Sequence, residues 1–331
     1  MGHGEGGPRT GVLAVAYAPE GKTLASGGTD GIIRLWDVGQ EKPAPRALAP
    51  GYSIRVSSLT FAPAGSAVVV GEADGSARVM EKDRGLFVER ARLQEAKTAA
   101  FAPDGQTLAV AESRAVRLWR LREGRLTEHD SLSSPETTTQ LAFSPDGGSL
   151  AIGAASGKVL LWRLTGQQRA LAGPTSPVSS LTFSADGAKL TVLHVDQRIA
   201  LWDTVRGSKL GSAQPAKDVS VLACLPDGAT LVTSDLRLWQ LTGDKLIEYG
   251  RVVPGAHSEV VAAFAPGGKL LASAGSGGRL YVWDVVGKKK LHSWSLPGQI
   301  RQVAFTPDGK HVATVNANGT GYLLRLSLSD R

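Results

Sequence analysis

The residues of this chain that could do chemistry are few and scattered. Six histidines stand at 3, 129, 194, 257, 292 and 311, with no His-x-x-x-His and no paired cysteines to build a zinc site. Cys224 is the one cysteine, and it takes the place that Phe183 and Phe264 hold in comparable stretches. That makes it small buried filler rather than a nucleophile, and a lone thiol permits no internal disulfide framework. Asp-Gly pairs at 104–105, 146–147, 186–187, 227–228 and 308–309 offer carboxylates of the kind calcium takes. Asn318-Gly319-Thr320 has the form of a glycosylation acceptor. There is no GxxxxGK[ST] phosphate cradle, no GxGxxG leading into a helix and no GxSxG elbow. The expectation is a chain that is not an enzyme and takes no cofactor and no metal.

The Asp-Gly pairs recur because the whole chain recurs. VLAVAYAPEG (12–21) returns as VSSLTFAPAG (56–65), AKTAAFAPDG (96–105) and TTQLAFSPDG (138–147), and four further copies follow. The closing glycines are Gly21, Gly65, Gly105, Gly147, Gly187, Gly228, Gly268 and Gly309, spaced by 44, 40, 42, 40, 41, 40 and 41 residues. A second marker keeps step: Trp36, Trp119, Trp162, Trp202, Trp239 and Trp283, with Met80 and Leu324 filling the slot in copies two and eight. Between the markers lie short runs of period two such as TLASG, SLAIG and HVATV, which read as half-buried strands. No window keeps helical spacing over three turns. The chain is all-β, and a period near 41 with several strands and fixed turns is that of a propeller blade. On this frame the Asp-Gly pairs are turn residues and the Asn318 sequon falls in a tight turn.

The endings in LWD and the PDG turns resemble the WD-repeat family, in its bacterial type, over residues 11–326. The resemblance implies a WD40-type β-propeller of up to four antiparallel strands per blade. In LASGGTDGIIRLWDV (24–38), Ser26, Asp30 and Trp36 stand at the family's Ser, Asp and Trp positions, which implies hydrogen bonds that tie the strands of one blade together. The family's Gly-His pair is off register, and the Ser/Thr slot is apolar at Val70, Val110, Ile152 and Val192. Most blades should then rest on apolar packing, a small cost where all partners of a buried network are replaced together. Eight copies predict eight blades, with seven as the alternative. The expected organisation is a Gly-rich segment over 1–10 and a single propeller domain over 11–331. The last blade lacks a good fourth strand.

A propeller without chemistry offers surface, and loops on a rigid scaffold commonly carry binding. The net charge of +7 on 331 residues is a mild basic bias. The candidate partner-binding rim comprises Arg55, Lys97, Arg114, Arg198, His257 and Arg301, with Lys158, His194, Tyr52 and Lys217 nearby. Lys288-Lys289-Lys290 reads as a guard on an outer edge, and Trp294, outside the repeat slot, as a cover for one. The resulting expectation is a noncatalytic scaffold for protein partners, a monomer or the docking module of a larger signalling protein. The alternative is a basic propeller binding RNA or a ribonucleoprotein. With no apolar run of about 18 residues and no signal-like start, a cytoplasmic, non-membrane chain is expected.

Overall fold

The computed structural model describes residues 11–37, 45–47, 54–83, 86–134, 136–171, 173–214, 221–224, 230–233, 236–242, 245–251, 259–265, 268–306, 308–318 and 320–326. Among them are strands and no helix. The strands form eight blades, so the alternative of seven is set aside. Blade 1 runs Val12–Tyr17, Thr23–Gly28, Ile33–Asp37 and Pro45–Ala47, each antiparallel to the next. Blades 2 to 8 span 56–93, 98–133, 138–171, 178–213, 221–251, 259–295 and 300–325. The LASGG stretch is the second strand of blade 1, with Leu24 opposite Trp36 on one side and Tyr17 on the other. Blades 1, 2, 7 and 8 make one compact unit (1–94 and 252–331) and blades 3 to 6 the other (95–251).

The Pro-x-Gly turns explain the strongest sequence signal. Between the first two strands of blade 4, the Ser144 hydroxyl and the Gly148 N–H both donate to Asp146 Oδ1, and the Gly147 N–H donates to Ser144 O at 2.8 Å. Gly147 sits at φ 71°, in the left-handed region that glycine enters without penalty. Blade 5 repeats this with Ser184, Asp186, Ala188 and Gly187. These carboxylates cap their own turns. The sequon stretch does likewise, since Asn318 Oδ1 accepts from Thr320 N and Oγ1.

The Ser144 hydroxyl and the Gly148 amide hold the Asp146 carboxyl below its ordinary value. A depressed folded-state value stabilises the fold above the unfolded value, near pH 4, and that stabilisation is lost as pH falls through the folded one. Asp146→Asn is therefore expected to lower the urea midpoint at pH 7. The gap from wild type should narrow steadily below about pH 4; a gap unchanged down to pH 2 would contradict it.

Each unit buries its sheets face to face. In the first, Ala14, Ile33 and Leu35 of blade 1 pack on Val56, Phe61 and Val70 of blade 2. Leu280 and Val282 of blade 7 pack on Ile300, Phe305 and Val312 of blade 8. Blade 8 in turn seats Ala313 and Val315 against Val12, Val15, Leu24 and Trp36 of blade 1. Among the described residues blade 8 has three strands. Trp294 is partly buried against the blade 7–8 cluster and stacks on His292 at 5.3 Å, so it covers an edge as expected. In the second unit, Leu118 and Val116 of blade 3 meet Ile152 and Leu150 of blade 4, and Leu161 of blade 4 meets Val192 and Leu190 of blade 5. Blades 5 and 6 share one sheet of eight strands, joined by a parallel bridge between Ser212 and Lys245 of their outer strands.

The tryptophan slot is tied where the second strand supplies a hydroxyl. Trp36 Nε1 donates to Ser26 Oγ at 2.8 Å, Trp283 to Ser273 at 2.8 Å and Trp239 to Thr233 at 3.3 Å. Asp30 serves the adjoining turn, accepting from Ile32 N at 3.1 Å and pairing with Arg34 at 2.8 Å. Blade 3 departs from the expectation that apolar replacement costs little. Val110 removes the acceptor but Trp119 stays, and its buried Nε1 has no hydrogen bond among the described residues. One-sided loss of this kind costs about 1–3 kcal/mol.

Candidate functional site

At one end of blades 1, 2, 4, 5 and 8 the segment leading into the first strand meets the turn between the second and third. A backbone hydrogen bond stitches the two: Thr29 N to Gly11 O in blade 1, Ala73 N to Arg55 O in blade 2, and Ala155 N to Thr137 O in blade 4. Val195 N to Pro177 O and Ala317 N to Gln299 O do the same in blades 5 and 8. These loops are held by main chain and by some of their own side chains, such as Thr29 on Gly11 N and Ser176 on Asp196 N, so the exposed ones project from a fixed frame.

A feature that the repeat did not announce sits at the same end. In blade 8, Ile300 pairs with Asn316 but Gln302 pairs with Val315, so Arg301 is the extra residue of a β-bulge. The same slip places Ser57, Thr139 and Ser179 in blades 2, 4 and 5. Bulges re-aim a side chain. Thr139 uses the turn inward, donating to Val178 O at 2.7 Å, whereas Arg301 is exposed.

The sequence-derived rim residues fare differently. In the first unit, Arg55 and Arg301 are exposed and make no ion pair among the described residues. His257, Tyr52 and Lys217 lie outside the described residues. In the second unit, Lys97 and Arg114 are exposed on blade 3. Between them Glu95 accepts the Ser113 N–H at 3.2 Å, and Ser113, with a smaller contribution from Lys97, holds its carboxyl below the ordinary range. Arg198 is exposed but engaged, its Nε and Nη2 at 2.7 and 2.6 Å from Asp196. Lys158 is paired with Glu136 at 2.6 Å. His194, read as a rim group, is 2% exposed, and its Nδ1 donates to Ser176 O at 2.8 Å.

His194 belongs to a set the sequence reading missed. The last residue of the second strand is polar and buried in several blades: Glu72, His194 and Asn316. Asn316 Nδ2 donates to Pro297 O at 2.9 Å, as His194 does to Ser176 O, so each fastens the incoming loop of its own blade. Glu72 instead takes Arg78 at 2.9 Å, Arg92 at 3.2 Å and the Ser76 hydroxyl at 2.7 Å. Aligning the copies on their turn glycines puts Glu72, Glu112, His194 and Asn316 at one repeat position, which is the signal that was available.

No group of three or more His, Cys, Asp or Glu side chains that could hold a metal occurs among the described residues. Most carboxylates at the loop-bearing ends are engaged, as Asp30, Glu72, Glu136 and Asp196 are, while Arg55, Lys97, Arg114 and Arg301 make no ion pair among the described residues. Such a set can attract an anionic surface and donate hydrogen bonds to it.

Comparison with known proteins agrees with this architecture. The family model described as "WD domain, G-beta repeat" matches residues 2–37 and 251–284, and that of the "Anaphase-promoting complex subunit 4 WD40 domain" matches 141–225. The chain is similar to the periodic tryptophan protein 2 homolog of Dictyostelium discoideum, 28% identical over 224 residues, covering 62% of this chain and 23% of that protein. The chain thus spans about a quarter of that relative's length. Among solved structures it resembles Chaetomium thermophilum Sqt1 bound to the N-terminus of the ribosomal protein L10, with TM-score 0.77 and 20% identity over 96% of this chain and 97% of that one. It also resembles the computationally designed Ika8 protein, with TM-score 0.74 and 22% identity over 97% and 98%. The natural relatives are eukaryotic and give no support to a bacterial type. Eight blades and the recurring tryptophan slot make the chain a β-propeller, and over residues 2–37, 141–225 and 251–284 its sequence matches WD-repeat models.

Proposed function

We propose that this propeller is a noncatalytic scaffold that docks a protein partner on its loop-bearing face, within the cytoplasm. The observation that carries the reading is the pairing of rigidity with open charge within each unit: Arg55 and Arg301 in the first and Lys97 and Arg114 in the second are exposed with no ion pair among the described residues, Arg301 on a strand bulge and the others on loops fixed by main-chain bonds. Arginine is favoured at interface hot spots because its planar fork holds several hydrogen bonds at once. A partner with an acidic surface suits a chain of net charge +7. Sqt1, a propeller of the same fold, was crystallised on the N-terminus of another protein, which supports a peptide-like docking segment. Single-stranded RNA would call for aromatic stacking platforms as well as cations, and the described rim residues are cations.

The test is a quantitative pull-down with and without nuclease, wild type against Lys97→Glu with Arg301→Glu. The scaffold reading expects a protein partner that survives nuclease and falls at least tenfold in the variant. Recovery that disappears with nuclease would replace it with the RNA reading.

A further inference from the structure

We propose that blade 5 carries a pocket that takes a glutamate side chain of the partner, together with the apolar residue beside it. The inference deepens the scaffold reading and rests on it for the partner being a protein. The pocket has a volume of 350 Å³, room for one or two side chains. Its floor is the third strand of the blade, Ile199–Asp203, through the side chains of Ala200 and Trp202, which share one face of the strand. One wall is the outer strand, Lys209–Ala213, and the lip is the loop at Gly173 and Pro174. The floor is apolar and aromatic, and its charged rim groups are cations, beside the Ser212 hydroxyl and the Gln214 amide.

Three nitrogen-bearing side chains converge there. Lys209 stands opposite Trp202 in the ladder, so its stem starts at the indole, and its ammonium makes no ion pair among the described residues. Arg198 precedes the floor strand. Asp196 holds its Nε and Nη2, which fixes the guanidinium and leaves Nη1 to donate. His194 lines the pocket with its Nδ1 held by Ser176 O, and its Nε2 makes no hydrogen bond among the described residues.

The chemistry favours a carboxylate on an aliphatic stem. Asp196 and Arg198 cancel each other, so the excess charge in the pocket is that of Lys209, and an ammonium beside a guanidinium N–H binds a carboxylate through charge-assisted bonds. The indole and the Ala200 side chain are matched by methylenes. Position 173 must stay small, because a Cβ there would lie 2.7 Å from Gly157 O and 3.5 Å from the His194 ring at Cε1. Glycine therefore lets the loop pass close beside that edge of the imidazole.

The test uses the full chain with ¹⁵N-labelled tryptophan, the Trp202 indole signal being assigned by Trp202→Phe. The probes are the capped tripeptides Ac-Leu-Glu-Leu-NH2 and Ac-Leu-Gln-Leu-NH2. The proposal expects a saturable shift of the Trp202 signal with the glutamate peptide and affinity at least tenfold weaker with the glutamine peptide. Lys209→Glu, a change on an exposed strand position, should abolish the response, and Arg122→Glu, at an exposed position of blade 3, should leave it intact. No saturable Trp202 shift, equal response to both peptides, or full binding by the Lys209→Glu variant would each overturn it. A lost rim effect in the pull-down with an intact Trp202 response would sink the docking face and leave the pocket standing. The reverse would sink the pocket alone.

Discussion

Arg78→Met is expected to destabilise the protein by about 3–5 kcal/mol, the usual effect of removing one partner from a buried ion pair. Arg78 is fully buried and Glu72 is 3% exposed, with their charged atoms 2.9 Å apart. Arg78 also donates through Nη2 to Gly31 O at 3.2 Å, which couples blade 2 to the turn of blade 1. After substitution, Glu72 keeps Arg92 and Ser76 but stays in its buried place. The double replacement Glu72→Met with Arg78→Met removes both charges together and should recover most of the loss, since a buried pair exchanged for apolar groups is often neutral. Urea unfolding followed by tryptophan fluorescence measures both. A single-variant cost under 1 kcal/mol, or a double variant no better than the single, would show that the pair is not what holds this seam.

Gly157→Ala is the second large effect, and the molecule contains its own control. Gly157 and Gly75 occupy the same position of the turn between second and third strands in blades 4 and 2, at φ 90° and 86°. Both should lose about 1–2 kcal/mol from forcing a side chain into the left-handed region. They differ in surroundings. A Cβ at 157 would fall 1.9 Å from Pro174 O and 2.5 Å from Ser176 O, both main chain, whereas at 75 nothing lies within 4 Å. Gly157→Ala must push the incoming loop of blade 5 away, so a further 2 kcal/mol or so is expected, on the scale of overpacking a tight contact. Blade 5 shows that the conformation alone is tolerable, because Gln197 holds the same turn position at φ 69°. Equal losses from Gly75→Ala and Gly157→Ala would mean that the loop contact contributes nothing. Ser176 O is also the acceptor of His194, so the alanine at 157 should disturb the blade 5 pocket as well.

The blades were legible because their markers are local. A turn glycine and a tryptophan slot each report a backbone need that any copy must meet, and the spacing of eight copies gave the number of blades. The hydroxyl partners of Trp36, Trp239 and Trp283 followed from the same alignment. What escaped was set by register and by what lies across the sheet. Arg301 stands out only because the first strand slips by one residue. Arg198 and Lys158 look like open cations until Asp196 and Glu136 are found beside them. His194 reads as a loop residue, yet it ends a strand with its ring turned back to Ser176. Nothing in composition separates a buried Arg78 from the exposed Arg114.

The seat of blade 8 on blade 1 also has a consequence in time. Gln302 reaches back to Val15 across 287 residues. At about 5–20 residues per second of synthesis, the surface formed by Val12, Val15, Leu24 and Trp36 is made roughly 15 to 60 seconds before its cover. For that interval the newborn chain presents an apolar sheet face to the cell. Its yield is therefore expected to depend on a chaperone holding the first blade until the last one arrives.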